Sequence, residues 1–551
     1  MKPIKIKDGL ECVVLMIFCI AFLWFAASNI LDNKISHEYP FGYMASDAIQ
    51  NYGIAEGIKE NGNYRYQPMS VAGGYKDVVG THYPIIFHLS NLLHFISGIE
   101  VYDSLMLIVI FMLMGASLVV YLIIGRFSKN AAIIALPLML LVSYGKFSSG
   151  ITWGQHGSIT SSLFLVSLLW TFSRFEFNEL FFIIVFLSAS LFGHPSAFVF
   201  GVTFIFMYIL IKILKKDFKL TDTKKIAIMG AITFVIIFYY GVIVKYTWGA
   251  AGFSNPEILT TKKFIEGGAF PAIILFKDFN IFVLIPFFIG FIVLMVSFLR
   301  KKSSYMLALL FLFLVGYSNY IGFGTRAFQQ RFLWPVYISA FFGIGIYFVL
   351  KLIFKKLNIL HSSALFLIIL VIFLAAYSGK TTAGSMMDPY HWDSFEWIQK
   401  NIEKDKAVYF FYQDIINQRA LYYASTQRES YVIEVEDFIE DLKEGLVKRN
   451  YKMALSAEGG PGLPYRISLF KYGTHMPEVT KKMEKRVDIC SMPYIVFDKI
   501  SKQQQLANYN ILIANQLLKN NWIKEVYSNQ VVSILKNTKP GEDCIEEQKI
   551  S

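Results

Sequence analysis

Phe41-Gly42-Tyr43-Met44-Ala45-Ser46-Asp47-Ala48 stands near the start of a long stretch, roughly residues 33–103, that separates the first hydrophobic segment from the second. A helical pattern follows over Ile49–Glu60, and then comes Gly80-Thr81-His82-Tyr83-Pro84. A short amphipathic run, Ile85–Ile96, leads into the next apolar segment. What this loop is for depends on the segments around it.

Those segments define a polytopic α-helical membrane protein. Of 551 residues 55% are hydrophobic and 17% charged, and the mean hydropathy is +0.47; a soluble domain carries about a quarter charged residues. A transmembrane helix needs about 20 mostly apolar residues. Eleven such segments are expected: Leu10–Leu31, Ser104–Ile124, Ala131–Tyr144, Ser158–Phe172, Leu180–Gly193, Ser196–Leu214, Ile226–Val244, Asn280–Leu299, Tyr305–Tyr320, Leu333–Leu350 and Ala364–Tyr377. The first is longer than a signal-peptide core and is expected to stay as an anchor.

Lysines and arginines favour the cytoplasmic side of short loops. Lys2, Lys5 and Lys7, then Arg126 with Lys129, Arg174, the run from Lys212 to Lys225, Arg300–Lys302, and Lys351 with Lys355 and Lys356 fall at every second junction. The alternation predicts the N-terminus inside, and residues 33–103 and everything after the last span outside. The formal charge of +12 is thus a topology signal. It is not the one-sided basic face that nucleic acid would need, and no nucleic-acid partner is expected.

Two domains follow: a transmembrane domain, 1–379, which includes the exterior loop 33–103, and an exterior α/β domain, 380–551. In the latter, Trp392–Ile402 and Lys502–Lys519 look helical, as does Asp437–Leu446. Ala407–Tyr412, Tyr431–Val435 and Tyr494–Phe497 look like strands, and Trp522–Lys536 like a hairpin. Cys490 and Cys544 are free or bridged on sequence alone; no Cys-x-x-Cys metal spacing exists.

Asp47 is the first candidate for chemistry, as a general base or a metal-positioning carboxylate. The plainer reading makes it the N-cap of a helix beginning at Ala48. Glu56 lies nine residues on and faces another direction. Asp77, in a Gly-rich stretch, is the second-choice acid. The tight outer loops bring Gln155, His156 and His194 to the membrane surface. With His82 and Tyr83 these are candidates for lining a cavity that binds sugar hydroxyls. Scattered histidines make a weak metal signal, and a structural role is the simpler reading of each. Arg326 and Arg331 lie outside, against the cytoplasmic preference, and arginine's fork suits phosphate oxygens; Lys262 and Lys263 are lesser candidates for the same role.

With Ser46-Asp47-Ala48 in the first outer loop, a juxtamembrane helix after His82-Tyr83-Pro84, Arg326 and Arg331 late among the spans and an exterior C-terminal domain, the chain resembles the GT-C membrane glycosyltransferases. That resemblance implies an acceptor-activating role for Asp47 and a polyprenyl-phosphate or polyprenyl-pyrophosphate sugar donor. It also implies a glycan, lipid or protein acceptor, and catalysis on the outer face of a cell membrane. A divalent metal stays open, because Ala48 stands where many relatives carry a second acid and residues 145–157 contain none. A transporter of lipid-linked glycans would want charges in mid-span, and here they sit at span ends. A non-catalytic scaffold would leave the first loop unexplained.

Overall fold

The computed structural model describes residues 6–62, 84–240, 279–317, 333–354, 357–377, 384–411, 426–433, 446–455, 484–500 and 504–546, with 64, 438–439, 443 and 548–549. The chain divides into two compact units. One comprises Met1–Ser36 with His82–Gly384, the other His37–Thr81 with Ser385–Ser551.

The first unit is a helical bundle, and each of the eleven expected segments is helical over its described residues. Its helices are α1 (Ile6–Ile30), α3 (Pro84–Ser97), α4 (Val101–Phe127), α5 (Lys129–Met139), the short α6 (Ser149–Thr152), α7 (His156–Phe175), α8 (Leu180–Gly193), α9 (Pro195–Leu214), α10 (Leu220–Phe238), α11 (Ile281–Lys301), α12 (Ser304–Tyr317), α13 (Trp334–Ile353) and α14 (Ile359–Tyr377); α2 (Ser46–Asn61) belongs to the second unit. Among the described residues, segments within α1, α4, α9, α11, α13 and α14 are long and apolar enough to cross a membrane. The amphipathic run is α3: Ile86 and Phe87 are buried while Leu92, Phe95 and Ile96 are exposed, the pattern of a helix lying in a membrane interface.

Glycine sets the closest packing. Lipid tails are as apolar as leucine, so transmembrane helices associate by close fit, and small residues permit it. A Cβ on Gly345 of α13 would stand 1.9 Å from the Pro286 carbonyl oxygen of α11, and one on Gly290 of α11 would stand 1.9 Å from the Phe341 oxygen of α13. Two residues away on α13, a Cβ on Gly343 would meet the Ala131 oxygen of α5 at 2.4 Å. Helix α13 is thus clasped between α5 and α11 at Phe341-Phe342-Gly343-Ile344-Gly345. Phe287, Phe291, Phe313 and Phe341 fill the space beside the clasp, with Phe287 and Phe341 centroids 5.4 Å apart.

The second unit holds a seven-stranded sheet: β1 (Val408–Phe411), β2 (Ser430–Ile433), β4 (Asn450–Leu455), β5 (Glu484–Asp488), β6 (Tyr494–Asp498), β7 (Ile523–Ser528) and β8 (Val532–Asn537), in the order β5-β4-β2-β1-β6-β8-β7. A separate pair joins β3 (Leu446–Val447) to β9 (Gln548–Lys549). Strand β1 lies between parallel β2 and β6, and its Val-Tyr-Phe-Phe is buried throughout, as a central strand covered on both faces requires. Helices α15 (Pro389–Asn401) and α16 (Gln504–Leu517) match two of the expected helices, and β7–β8 is the expected hairpin. Strands β4 and β5 were not expected. Helix Asp437–Leu446 falls largely outside the described residues. Cys490 and Cys544 are bridged, with Cα atoms 5.4 Å apart, and both lie in the core beside Ile489 and Met492. Closing a loop of that length contributes about 4 kcal/mol in the chain-entropy model.

Arg428 completes the frame. Its guanidinium donates to the carbonyls of Gln399 and Ile402 at 2.7–3.0 Å, filling the orphan acceptors at the C-terminus of α15. We expect Gly345→Leu to lower thermal stability and monodispersity in detergent, by the 1–3 kcal/mol typical of overpacking or more. Gly230→Ala in α10, where nothing lies within 4 Å, serves as the neutral control, and equal melting of both variants would refute the clasp.

Candidate active site

Helix α2 begins at Ser46, two residues before the Ala48 start that the capping reading assumed. Its N-cap is Ala45, whose side chain offers no hydrogen bond. Asp47 is therefore not the cap; it is an acid inside the first turn, where the helix N-terminus favours negative charge. Ala48, Ile49, Tyr52 and Ala55 are buried, whereas Asp47 is exposed. Nine residues on, at 100° per residue, Glu56 falls on the opposite side, is buried, and pairs with Lys59. Asp47 lies on the exposed side of the helix and Glu56 on the buried side.

The approach to α2 is pinned by the chain that precedes α15. Met386 N–H donates to the Tyr43 carbonyl at 2.8 Å, and Ser385 Oγ–H to the Pro40 carbonyl at 2.7 Å. Gly42 takes φ +82°, which a Cβ would strain. Tyr52 of α2 sets its ring 6.1 Å from Trp392 of α15 and 6.5 Å from Tyr43. Helix α15 has Asp388 as its N-cap and Pro389 as its first residue, a common helix opening.

Behind that helix start lies a buried charged triad. His391 is 0% exposed. Its Nδ1–H donates to Asp388 Oδ2 at 2.5 Å and its Nε2–H to Asp498 Oδ1, at the end of β6, at 3.1 Å. Burial opposes the charged ring, but the two carboxylates outweigh it and raise its pKa to about 9. Asp388 also resists burial and, with His391 against it, is held below the usual carboxylate range. The triad fixes where α15 begins, and α15 carries the Trp392 that meets Tyr52 of α2.

The remaining candidates lie in the first unit. Gly157 and Gly193 bring two of the tight loops together: a Cβ on Gly157 would stand 2.8 Å from the Gly193 oxygen and 3.9 Å from His194 Cδ2. His156 is 0% exposed, and its Nε2–H donates to the Ile151 carbonyl at 2.8 Å. His194 caps α9, its Nδ1 accepting from Ser196 N–H at 3.2 Å and lying 2.7 Å from Ser196 Oγ. Both histidines thus show the hydrogen bonds of structural residues. Gln155 is half-buried at the start of α7, with no cap hydrogen bond from its side chain. His82, Tyr83, Asp77, Arg326, Arg331, Lys262 and Lys263 lie outside the described residues. Among the described residues no group of three or more His, Cys, Asp and Glu side chains could hold a metal ion.

No protein-family model matches the chain, and no characterised protein matches it by sequence. Solved structures do. The archaeal oligosaccharyltransferase AglB from Archaeoglobus fulgidus, in complex with an inhibitory peptide and a dolichol-phosphate, superposes with a TM-score of 0.54 at 14% identity, over 89% of this chain and 69% of that one. The same enzyme tethered to an acceptor peptide containing the NVT sequon gives 0.51 at 12% identity, over 88% and 69%. The chain has the GT-C fold. ArnT from Cupriavidus metallidurans, bound to undecaprenyl phosphate, covers 96% of this chain and 98% of its own at a TM-score of 0.48 and 10% identity.

Within this fold, two features escaped the sequence. Asp103 is 1% exposed in the first turn of α4, because Val101, Tyr102, Ser104 and Leu105 around it are buried as well; no periodicity marks such a turn. The triad left half a signal. Asp388-Pro389 announces a capped helix, but Asp498 comes from a strand 110 residues later in the chain. The triad has a measurable consequence. His391 is charged in folded and unfolded chains alike below its ordinary pKa of 6.5, so its stabilisation is complete there. It is lost as pH rises from 6.5 through about 9. We expect the wild-type protein to lose stability across that window in chemical denaturation, and His391→Gln to flatten the loss. Parallel curves would show that another group titrates.

Proposed function

We propose that this chain is a membrane glycosyltransferase that moves a sugar from a polyprenyl-phosphate-linked donor to an acceptor on the outer side of the membrane. The observation that carries the reading is Asp47: an exposed carboxylate in the first turn of a helix whose Ala48, Ile49, Tyr52 and Ala55 are buried, in a chain with the GT-C fold. An oligosaccharyltransferase of that fold binds a dolichol-phosphate, which supports a lipid phosphate as the leaving group.

In the proposed reaction Asp47 accepts the proton of the acceptor as its oxygen or nitrogen bonds to the anomeric carbon. The bond from that carbon to the phosphate oxygen breaks with its electron pair, and the configuration inverts. A lipid phosphate leaves readily, so no covalent sugar–enzyme intermediate is needed. Arg326 and Arg331 are proposed to stabilise the departing phosphate. Gln155, His194, His82 and Tyr83 are proposed to hold the donor sugar, with His156 shaping the loop between them, and Asp77 is the second-choice base. The divalent metal left open by the sequence has no step here. The lysine alternation supports an outward-facing loop, and so does the Cys490–Cys544 bridge, since disulfides persist in oxidising compartments. A prokaryotic cell membrane is the proposed location.

The test is transfer of labelled sugar from a panel of polyprenyl-phosphate donors by membranes containing the chain. Asp47→Asn is expected to lower the rate by about 100-fold or more, the contribution of a general base, at unchanged protein level and melting temperature. Equal rates in wild type and variant would dismiss Asp47 and turn attention to Asp77.

A further inference from the structure

On the side of the bundle that the charge alternation marks as cytoplasmic, the helix ends line a cavity of about 500 Å³, within the roughly 300–1,000 Å³ of small-molecule sites. It forms where α4, α7 and α9 end and where α11 turns into α12. Arg126, Arg174, Lys212, Lys215, Lys219 and Lys302 line it, against the acids Glu176 and Asp217. The sequence spreads these cations over four separate junctions. The fold gathers them into one place.

Lys212 is already engaged, 2.9 Å from Asp222 and 3.8 Å from Glu176. Arg174 lies over the Trp170 and Phe175 rings, which leaves its guanidinium edge available for anions. Among the described residues, no carboxylate forms an ion pair with Arg126, Arg174, Lys215, Lys219 or Lys302. Basic residues at helix C-termini often do no more than cap carbonyls or snorkel to water. Two further groups make this a cavity with acceptors to seek. Tyr208 is 3% exposed with its phenol beside the Glu176 carboxylate, and Ser303 Oγ is buried with no hydrogen-bond partner among the described residues. Both residues line the cavity. A buried hydroxyl without a partner costs about 1–3 kcal/mol, and an oxyanion in the cavity would accept from Ser303 while neutralising the excess positive charge.

We propose that this cavity is a binding site for a phosphate ester, presented by an anionic phospholipid of the inner leaflet or by a soluble metabolite. Arginine forks and clustered ammonium groups match phosphate oxygens, and basic pockets between transmembrane helices on the cytoplasmic side suit anionic headgroups. The site is separate from the proposed catalytic acid and would hold its ligand whether or not the chain transfers sugar.

The test uses the full chain in detergent. Melting temperature and native mass spectra are recorded with phosphatidylglycerol, with phosphatidylcholine of the same acyl chains, and with glycerol 3-phosphate. Phosphatidylglycerol is expected to raise the melting temperature and to remain bound. Arg126→Gln with Arg174→Gln should weaken it by about 100-fold, roughly tenfold for each charge-assisted hydrogen bond lost. Tyr208→Phe with Ser303→Ala should weaken it without removing charge, and so reads the same site if the arginine variant fails to fold. Lys351→Gln, at the end of α13 and not lining the cavity, should change nothing. Equal stabilisation by glycerol 3-phosphate would identify a soluble ester as the ligand. No preference for phosphatidylglycerol over phosphatidylcholine together with no effect of glycerol 3-phosphate, or cavity variants that behave like Lys351→Gln, would overturn the proposal.

Discussion

Backbone-to-backbone contact between helices, made where a side chain would leave no room, is the constraint on which the bundle rests. In lipid there is no hydrophobic gain from pressing one apolar helix on another, so the fit itself must supply the stabilisation. Gly343 and Gly345 place α13 against α5 on one side and α11 on the other, and Gly157 and Gly193 do the same where α7 meets α8. The 14-residue α8 spans only about 21 Å, less than the ~30 Å hydrocarbon core. Its last residue rests on Ser161 of α7, so its position is fixed by a neighbour and not by its own length.

The second unit solves a different problem. Its sheet has an ordinary core, closed by a disulfide and by Arg428 on the carbonyl end of α15. Its unusual member is α2, which comes from the far end of the chain. A helix of alternating glycine, alanine and polar residues would not hold its shape alone. Tyr52 on Trp392, and the hydrogen bonds from Ser385 and Met386 to Pro40 and Tyr43, give it a fixed platform. The buried triad at Asp388, His391 and Asp498 holds that platform in turn. An exposed acid gains a defined position from a helix whose inner face rests on buried residues.

Much of this was legible in the sequence, and the reasons are specific. Long apolar runs have few alternatives to helices, so the spans showed themselves. Val408–Phe411 and Tyr494–Asp498 announced themselves as strands by β-branched and aromatic content. Strands β4 and β5 did not, because Asn450–Leu455 and Glu484–Asp488 mix charged with apolar residues at the sheet edge. Asp47 could be picked out, but its place relative to the helix start could not, since Ala45 is a poor cap and gives no stop signal. The basic residues were read one junction at a time, and only the packing of α4, α7 and α9 shows that they share a cavity.

The composition of the second unit also sets an order of assembly. Helix α2 leaves the ribosome more than 300 residues before Ser385, where the partner that buries Tyr52 begins. At about 5–20 residues per second, that interval is on the order of tens of seconds. Throughout it, Ala48, Ile49 and Tyr52 have no core to enter. The polypeptide must insert its whole helical bundle before its earliest loop can settle, and a chain arrested anywhere short of the sheet would carry Asp47 on a segment without a scaffold. The second unit would then settle late in synthesis and nearly all at once, an order written into the connectivity.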